Sequence, residues 1–202
     1  MLSLGLHGRT IGAQTGKGNT LPIYVKIPLI GGDATTDGYE DGKWFVADSF
    51  SFGVEREMKE SGEKAGTEDI NIGVGELQEC TISKSMDSAS GNLAQKAING
   101  NSLGTAEIEF VEVAGTSGQA ICYLKYKLER CFVKSWSTSG DADDRPTEEV
   151  AFYYNKIAFM YLATKDGEVF EPQGIMTWDN VKNKPWGDHG IQQSGDSLHQ
   201  AE

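Results

Sequence analysis

The chain has 202 residues and carries 30 acidic against 18 basic side chains, a formal net charge of −12. That length can bury a core without disulfide staples, and so negative a surface with scattered lysines and arginines repels a phosphate backbone, which sets nucleic-acid binding aside. No apolar run approaches the roughly 20 residues of a bilayer-spanning helix, so membrane insertion is not expected, and 25 glycines among short apolar stretches favour an all-β chain.

Residues 1–20 (MLSLGLHGRTIGAQTGKGNT) are polar and glycine-rich and lack the apolar segment of a secretory leader, so a flexible extension is expected. GAQTGKGNT within it fails as a phosphate loop. Gly12 and Gly16 enclose three residues rather than four, and Gly18 instead of a hydroxyl follows Lys17. Period-two alternation then predicts half-buried strands, first over Ile23, Val25, Ile27 and Leu29, then over Trp44, Val46, Phe50, Phe52 and Val54. The charged stretch 55–70 (EREMKESGEKAGTEDI) reads as a long connection. A connection of that length in a compact domain is usually functional or disordered, which makes it the best candidate for a contact surface. Its Glu55, Arg56, Glu57, Lys59, Glu60, Glu63 and Lys64 are the candidate inter-subunit residues.

Residues 81–90 (TISKSMDSAS) contain a Ser/Thr-x-x-Lys spacing that would place a nucleophile against its base on a helical turn. The stretch 77–86 alternates as a strand does, so Thr81 and Ser83 must face away from Lys84. Ser83, Lys84, Asp87 and Ser90 are therefore assigned to a structural strand-to-helix turn, with Ser90 as the N-cap of one helix. Leu93, Ala94, Ala97 and Ile98 form its apolar face and Gly100 its left-handed stop. Further strands are predicted at 105–113, 121–137, 148–162 and 169–178. In 121–137, Cys122, Leu124, Tyr126 and Leu128 share a parity that Val133 breaks. In 148–162, Val150, Phe152 and Tyr154 give way to Ile157, Phe159 and Tyr161. Both switches call for a bulge or a sharp bend, as in a sheet curling into a barrel or a tight sandwich.

DADDR at 141–145 opens like a calcium loop but lacks the later Gly and Glu, so an acidic turn is expected. His7, His189 and His199 lie in the polar ends, too poorly anchored for a base or a metal site, and Cys80, Cys122 and Cys131 look like buried cytosolic thiols. No catalytic, cofactor or metal signature emerges. Residues 185–202 lack an apolar period and are expected to be a flexible polar tail.

Six segments in order carry a family resemblance: LPIYVKI, DSFSFGV, TISKSMDSASGNLAQKA, YLKYKLERCFVKSWSTSG, DRPTEEVAFYYNKIAFMY, and a closing KDG followed by Trp178. Over residues 21–184 the chain resembles Hcp, the tube protein of type VI secretion. The resemblance implies a phage-tail-tube-like bent β-barrel or two-sheet sandwich with one flanking helix. It also implies homo-hexameric rings stacked into a hollow tube, with contractile sheath, spike and secreted effectors as partners. Export from the bacterial cytoplasm would go through the tube itself and needs no signal peptide. Tyr39 stands where a histidine is common in the family, and about eighteen residues after Lys184 are too few for a fused toxin domain. The alternative is a monomeric carbohydrate- or peptide-binding β-sandwich, with Trp44, Trp136 and Trp178 lining its site.

Overall fold

The computed structural model describes residues 21–60, 70–114, 119–164, 169–195 and 197–200. Among them run eleven strands and one helix: β1 Ile23–Lys26, β2 Trp44–Ala47, β3 Ser49–Ser51, β4 Val54–Glu60, β5 Ile70–Leu77, β6 Cys80–Ser85, α1 Ser90–Asn99, β7 Gly104–Ala114, β8 Gln119–Ser139, β9 Thr147–Tyr153, β10 Lys156–Thr164 and β11 Phe170–Asp179. The described residues are all-β with one helix, as composition and period imply. Residues 1–20, with His7, lie outside the described residues.

Strand β8 is shared by both halves of the fold. Its first half sits between β7 and β10, with β1 and β2 beyond β7 and β11 beyond β10. From Phe132 onward it pairs with β9, which leads to β6 and β3. The change of sheet occurs at Arg130, whose φ of 50° lies in the left-handed region. Leu128 and Cys131 are three residues apart, yet both end in the same core because the β7–β8 register shifts between them. This is the parity break seen at Val133. The companion strand bends at the same level: Tyr153 lies opposite Phe132 and Lys156 opposite Glu129, so β9 and β10 are one path along β8 interrupted at Tyr154 and Asn155. A second bulge, at Tyr123, sends Cys122 to the face opposite Leu124, where an unbroken alternation would have kept them together.

The strand path starts at β2 and ends at β3, and Asp48 alone separates them. The Asp48 amide donates to the Ser83 carbonyl at 2.8 Å, so the path closes on itself as a barrel. Val25, Phe45, Ile82, Ile108, Leu128, Val150, Phe152 and Ile157 fill its interior. Each is worth about 1.5–3 kcal/mol on burial.

Helix α1 contributes Leu93 to that core, while Ile98, expected on the same face, is 81 % exposed. At about 100° per residue, Ile98 lies about 140° round the helix from Leu93, too far to share a narrow buried stripe. The N-cap is Ala89 rather than Ser90, which is the first helical residue. The turn is closed instead by Asp87, whose carboxylate accepts the Ala89 amide at 2.8 Å while its own amide donates to Ser90 Oγ at 3.0 Å. Gly100, with φ 65°, supplies the expected left-handed stop.

The outer face of the larger sheet is covered too. Tyr39 from the 32–43 loop packs there, as do Trp186, Ile191 and Leu198 from the segment after Lys184. The expected free polar tail is thus a packed strap in its described part. Its apolar residues recur at no period because an irregular segment fills whatever sockets the sheet offers, so periodicity could not reveal it.

Candidate assembly surface

Residues 55–60 and 70, expected to lie in a loop, belong instead to the paired strands β4 and β5 of a two-stranded arm, while 61–69 lie outside the described residues. Among the described residues β4 and β5 pair only with each other, Val54 facing Leu77 and Arg56 facing Gly75, with a register shift before Met58 meets Ile72. β4 concealed its strand character because VEREMKE carries charges on both faces, which outnumber its apolar Val54 and Met58. Ile70, Ile72 and Val74 did alternate and are the missed signal. Val54, Glu55, Arg56 and Glu57 are exposed. Lys59 and Glu60 are placed by backbone alone, and Glu63 and Lys64 lie outside the described residues. Glu55 faces Glu76 across the arm, a like-charge pair that destabilises an isolated ladder, and accepts only a long 3.4 Å hydrogen bond from Gln78. A lone two-stranded hairpin is marginal in water. Between the arm's base and β11 opens a cleft of ≈ 380 Å³ lined by Val54, Arg56, Leu77, Met176 and Trp178.

Two other features present main chain and apolar surface outward. β11 pairs with β10 alone and leaves its far edge uncovered by any described strand, with Ile175 exposed there. Its Pro172 and Gly174, φ 102°, keep that edge irregular. In the turn 27–30, the Ile30 amide donates to the Ile27 carbonyl at 3.1 Å, and Leu29 takes φ 68° with 93 % of its surface exposed. Pro28 suits the second position of such a turn, but a leucine at positive φ costs about 1–2 kcal/mol.

The strand-to-helix turn holds a buried ion cluster. Ser83 Oγ contacts Ser49 Oγ at 2.6 Å, on the face away from Lys84, and Thr81 lies on that same side, as alternation requires. Lys84 Nζ is 0 % exposed and donates to Asp87 Oδ1 at 2.6 Å, Glu148 Oε1 at 2.8 Å and the Ser85 carbonyl at 2.9 Å. Those three bonds commit its three hydrogens, leaving Ser90 Oγ at 3.4 Å. Glu148 Oε2 accepts the Trp136 indole N–H at 3.0 Å. Glu148 is 64 residues from Lys84 in sequence, so only pairing of β6 with β9 reveals it.

The histidines and tryptophans also land otherwise than the sequence suggested. His199, expected to be unanchored, bonds buried Glu109 through Nδ1 at 2.8 Å and packs on Tyr39. Trp44 is buried on the outer sheet face, whereas Trp136 and Trp178 pack against the barrel core, so the three form no shared binding platform. Cys80, Cys122 and Cys131 are free and buried, and burial raises all three thiols above the ordinary range.

A family model described as "Type VI secretion system effector, Hcp" matches residues 24–161. Among solved structures, a type six secretion system protein is 27% identical with a TM-score of 0.71, the match covering 82% of this chain and 99% of that one. Hcp1 from Salmonella typhimurium is 21% identical with a TM-score of 0.61, over 82% of this chain and 98% of its own. A type VI secretion system effector from Yersinia pestis is 16% identical with a TM-score of 0.57, over 78% and 98% respectively. No curated protein matches the chain.

Proposed function

The chain belongs to the Hcp family of type VI secretion tube proteins, and we propose that it is the repeating subunit of a tube in which six copies close a ring and the rings stack. The observation that carries this reading is the β4–β5 arm, a charged two-stranded ladder that pairs with no other described strand and would be marginal by itself. A ring made head to tail needs heterologous contacts, and exposed strand edges, a projecting arm and the presented Leu29 supply them without a large apolar patch. We assign the arm to the ring-to-ring contact, with Glu55, Arg56, Glu57, Lys59, Glu60, Glu63 and Lys64 pairing across it. Each exposed pair contributes at most about 1 kcal/mol and is weakened by salt.

On this reading the partners are further copies of the chain, the contractile sheath around the tube, the spike ahead of it and effector proteins in its lumen. The protein leaves the bacterial cytoplasm through the machine that it builds. Its role is mechanical, and screens against esters, peptides and glycans are expected to be blank. Native mass spectrometry at micromolar concentration should find the hexamer, and negative-stain images should find rings or rods; a monomer persisting at high concentration and low salt refutes the ring. Replacing 57–66 by a short Gly-Ser link should leave rings and abolish rods. Unchanged rods would remove the arm from the stack, and monomers would place it within the ring.

A further inference from the structure

Two surfaces on opposite margins of the larger sheet match each other in shape and in charge. One surrounds the turn after β1, where Leu29 stands 93 % exposed. The loop 32–43 is tied beside that turn, since the Gly32 amide donates to the Gly42 carbonyl at 3.0 Å. It carries the exposed acids Asp33, Asp37, Glu40 and Asp41 against one base, Lys43. Asp33 accepts the Ser88 hydroxyl at 2.7 Å, and Asp41 meets Lys43 at 3.3 Å. The carboxylates of Asp37 and Glu40 are bonded to no side chain among the described residues.

The other surface is the cleft between the base of the arm and β11. Apolar Val54, Leu77, Met176 and Trp178 line it together with Arg56 and Asn183. Asn183 stands between Lys182 and Lys184, both exposed, in a turn that also presents Val181 at 71 % exposure. Although the chain carries a net charge of −12, residues 180–184 hold two bases and no acid. Asp179, just before them, is buried and accepts the amides of Val181 and Lys182, so its charge is committed to the turn. Among the described residues no ion pair reaches the side chains of Arg56, Lys182 or Lys184. The cleft is thus apolar within and basic around its opening.

Strand register fixes where the two surfaces lie. Lys26 at the end of β1 is opposite Glu107, Glu107 opposite Lys127, Lys127 opposite Ala158 and Ala158 opposite Thr177, so one row of residues crosses the sheet from the Leu29 turn to the cleft. Four strand spacings make that span about 19 Å, too far for the turn to enter the cleft of its own chain. A heterologous contact needs a giving surface on one margin and a receiving one on the other, so that every copy does both. An apolar knob beside carboxylates and an apolar cleft beside bases also select each other over like-charged surfaces. We propose that the Leu29 turn of a second copy docks in the Val54–Trp178 cleft, with that copy's Asp37 and Glu40 facing Arg56, Lys182 and Lys184. The arm walls this cleft and is assigned to the stack, so the second copy belongs to the neighbouring ring. The docking pair rests on the stacked-ring reading and gives it a defined contact.

The test cross-links full-length chains assembled into rods with a bis-maleimide. Chains carrying Leu29→Cys are mixed with chains carrying Thr177→Cys, a position in the cleft. Cys80, Cys122 and Cys131 are buried, and wild-type rods control for them. Covalent dimers should form in the mixture, in neither variant alone, and not in single rings separated from rods by sedimentation. Charge reversal is the second readout. Lys182→Glu with Lys184→Glu should lower the rod fraction roughly fivefold, as should Asp37→Lys with Glu40→Lys. All four together should restore it to within about twofold of wild type, a compensation that loss of folding cannot produce. Rods that form normally but give no mixed dimer, dimers equally abundant in single rings, or reversals that add instead of compensating would each overturn the docking pair and leave the tube reading standing. A wild type that never forms rods removes the stack and the docking pair together.

Discussion

Replacing Lys84 by methionine isolates the value of the buried ion cluster, since methionine retains the long apolar stem and removes only the charge. Two carboxylates are left behind, and they differ. Asp87 is 18 % exposed and can regain water, whereas Glu148 is 0 % exposed and cannot. Glu148 keeps a single described donor, the Trp136 indole N–H at 3.0 Å. Breaking a buried pair by removing one partner costs roughly 3–5 kcal/mol, because the orphaned charge stays desolvated. In a chain of this size each kcal/mol lowers Tm by about 2–4 °C, so Lys84→Met should fall by about 6–20 °C. Adding Glu148→Gln removes the stranded charge while an amide oxygen can still accept the indole N–H, so the double variant should recover most of the loss. Thermal and urea unfolding of the four proteins of the cycle measure the coupling, and interaction energies above about 1 kcal/mol are expected for groups in contact. A Lys84→Met chain within about 1 kcal/mol of wild type would refute the reasoning, since Glu148 would then have to reach solvent. Ser83→Ala, on the opposite face, should stay within about 0.5 kcal/mol.

Leu29→Gly removes the strain of φ 68° at a side chain that touches little. The isolated subunit should unfold at no lower denaturant concentration while ring or rod assembly weakens, and a clear loss of subunit stability would show that the leucine is packed within its own chain. Acid sensitivity should trace in part to Glu109. Its folded carboxyl titrates below its unfolded value, so its contribution is fully present above the ordinary carboxylate range and is lost as pH falls through the folded value. Between pH 7 and about pH 5 the wild-type Tm should barely move on this account. Below that range Glu109→Gln should show a shallower decline, and parallel curves for the two proteins would argue against the assignment. Lastly, a thiol reagent should find none of Cys80, Cys122 and Cys131 in the folded protein and all three after denaturation, because burial both hides these thiols and raises them above their ordinary range. Rapid native labelling would contradict their placement.

Local physics alone determined a good part of this protein. Period-two alternation marked the barrel strands, the parity break at Val133 announced the bulge at Arg130, and Gly100 marked the helix end, since each depends on the nearest few residues. Alternation also parted Ser83 from Lys84 and so ruled out their pairing. Tertiary structure decided what those residues meet. Lys84 finds Glu148 only because β6 lies beside β9, and Glu109 finds His199 only because a strap with no periodicity crosses the outer sheet face 90 residues later in the chain. The arm shows the same division. Val54–Glu60 carries charges on both faces, so no clear burial pattern was there to read, and cross-strand pairing with Ile70–Leu77 is what makes it a strand. Burial patterns are written locally, but the partners of buried charges, irregular segments and two-sided polar strands are fixed by contacts that sequence neighbours do not share.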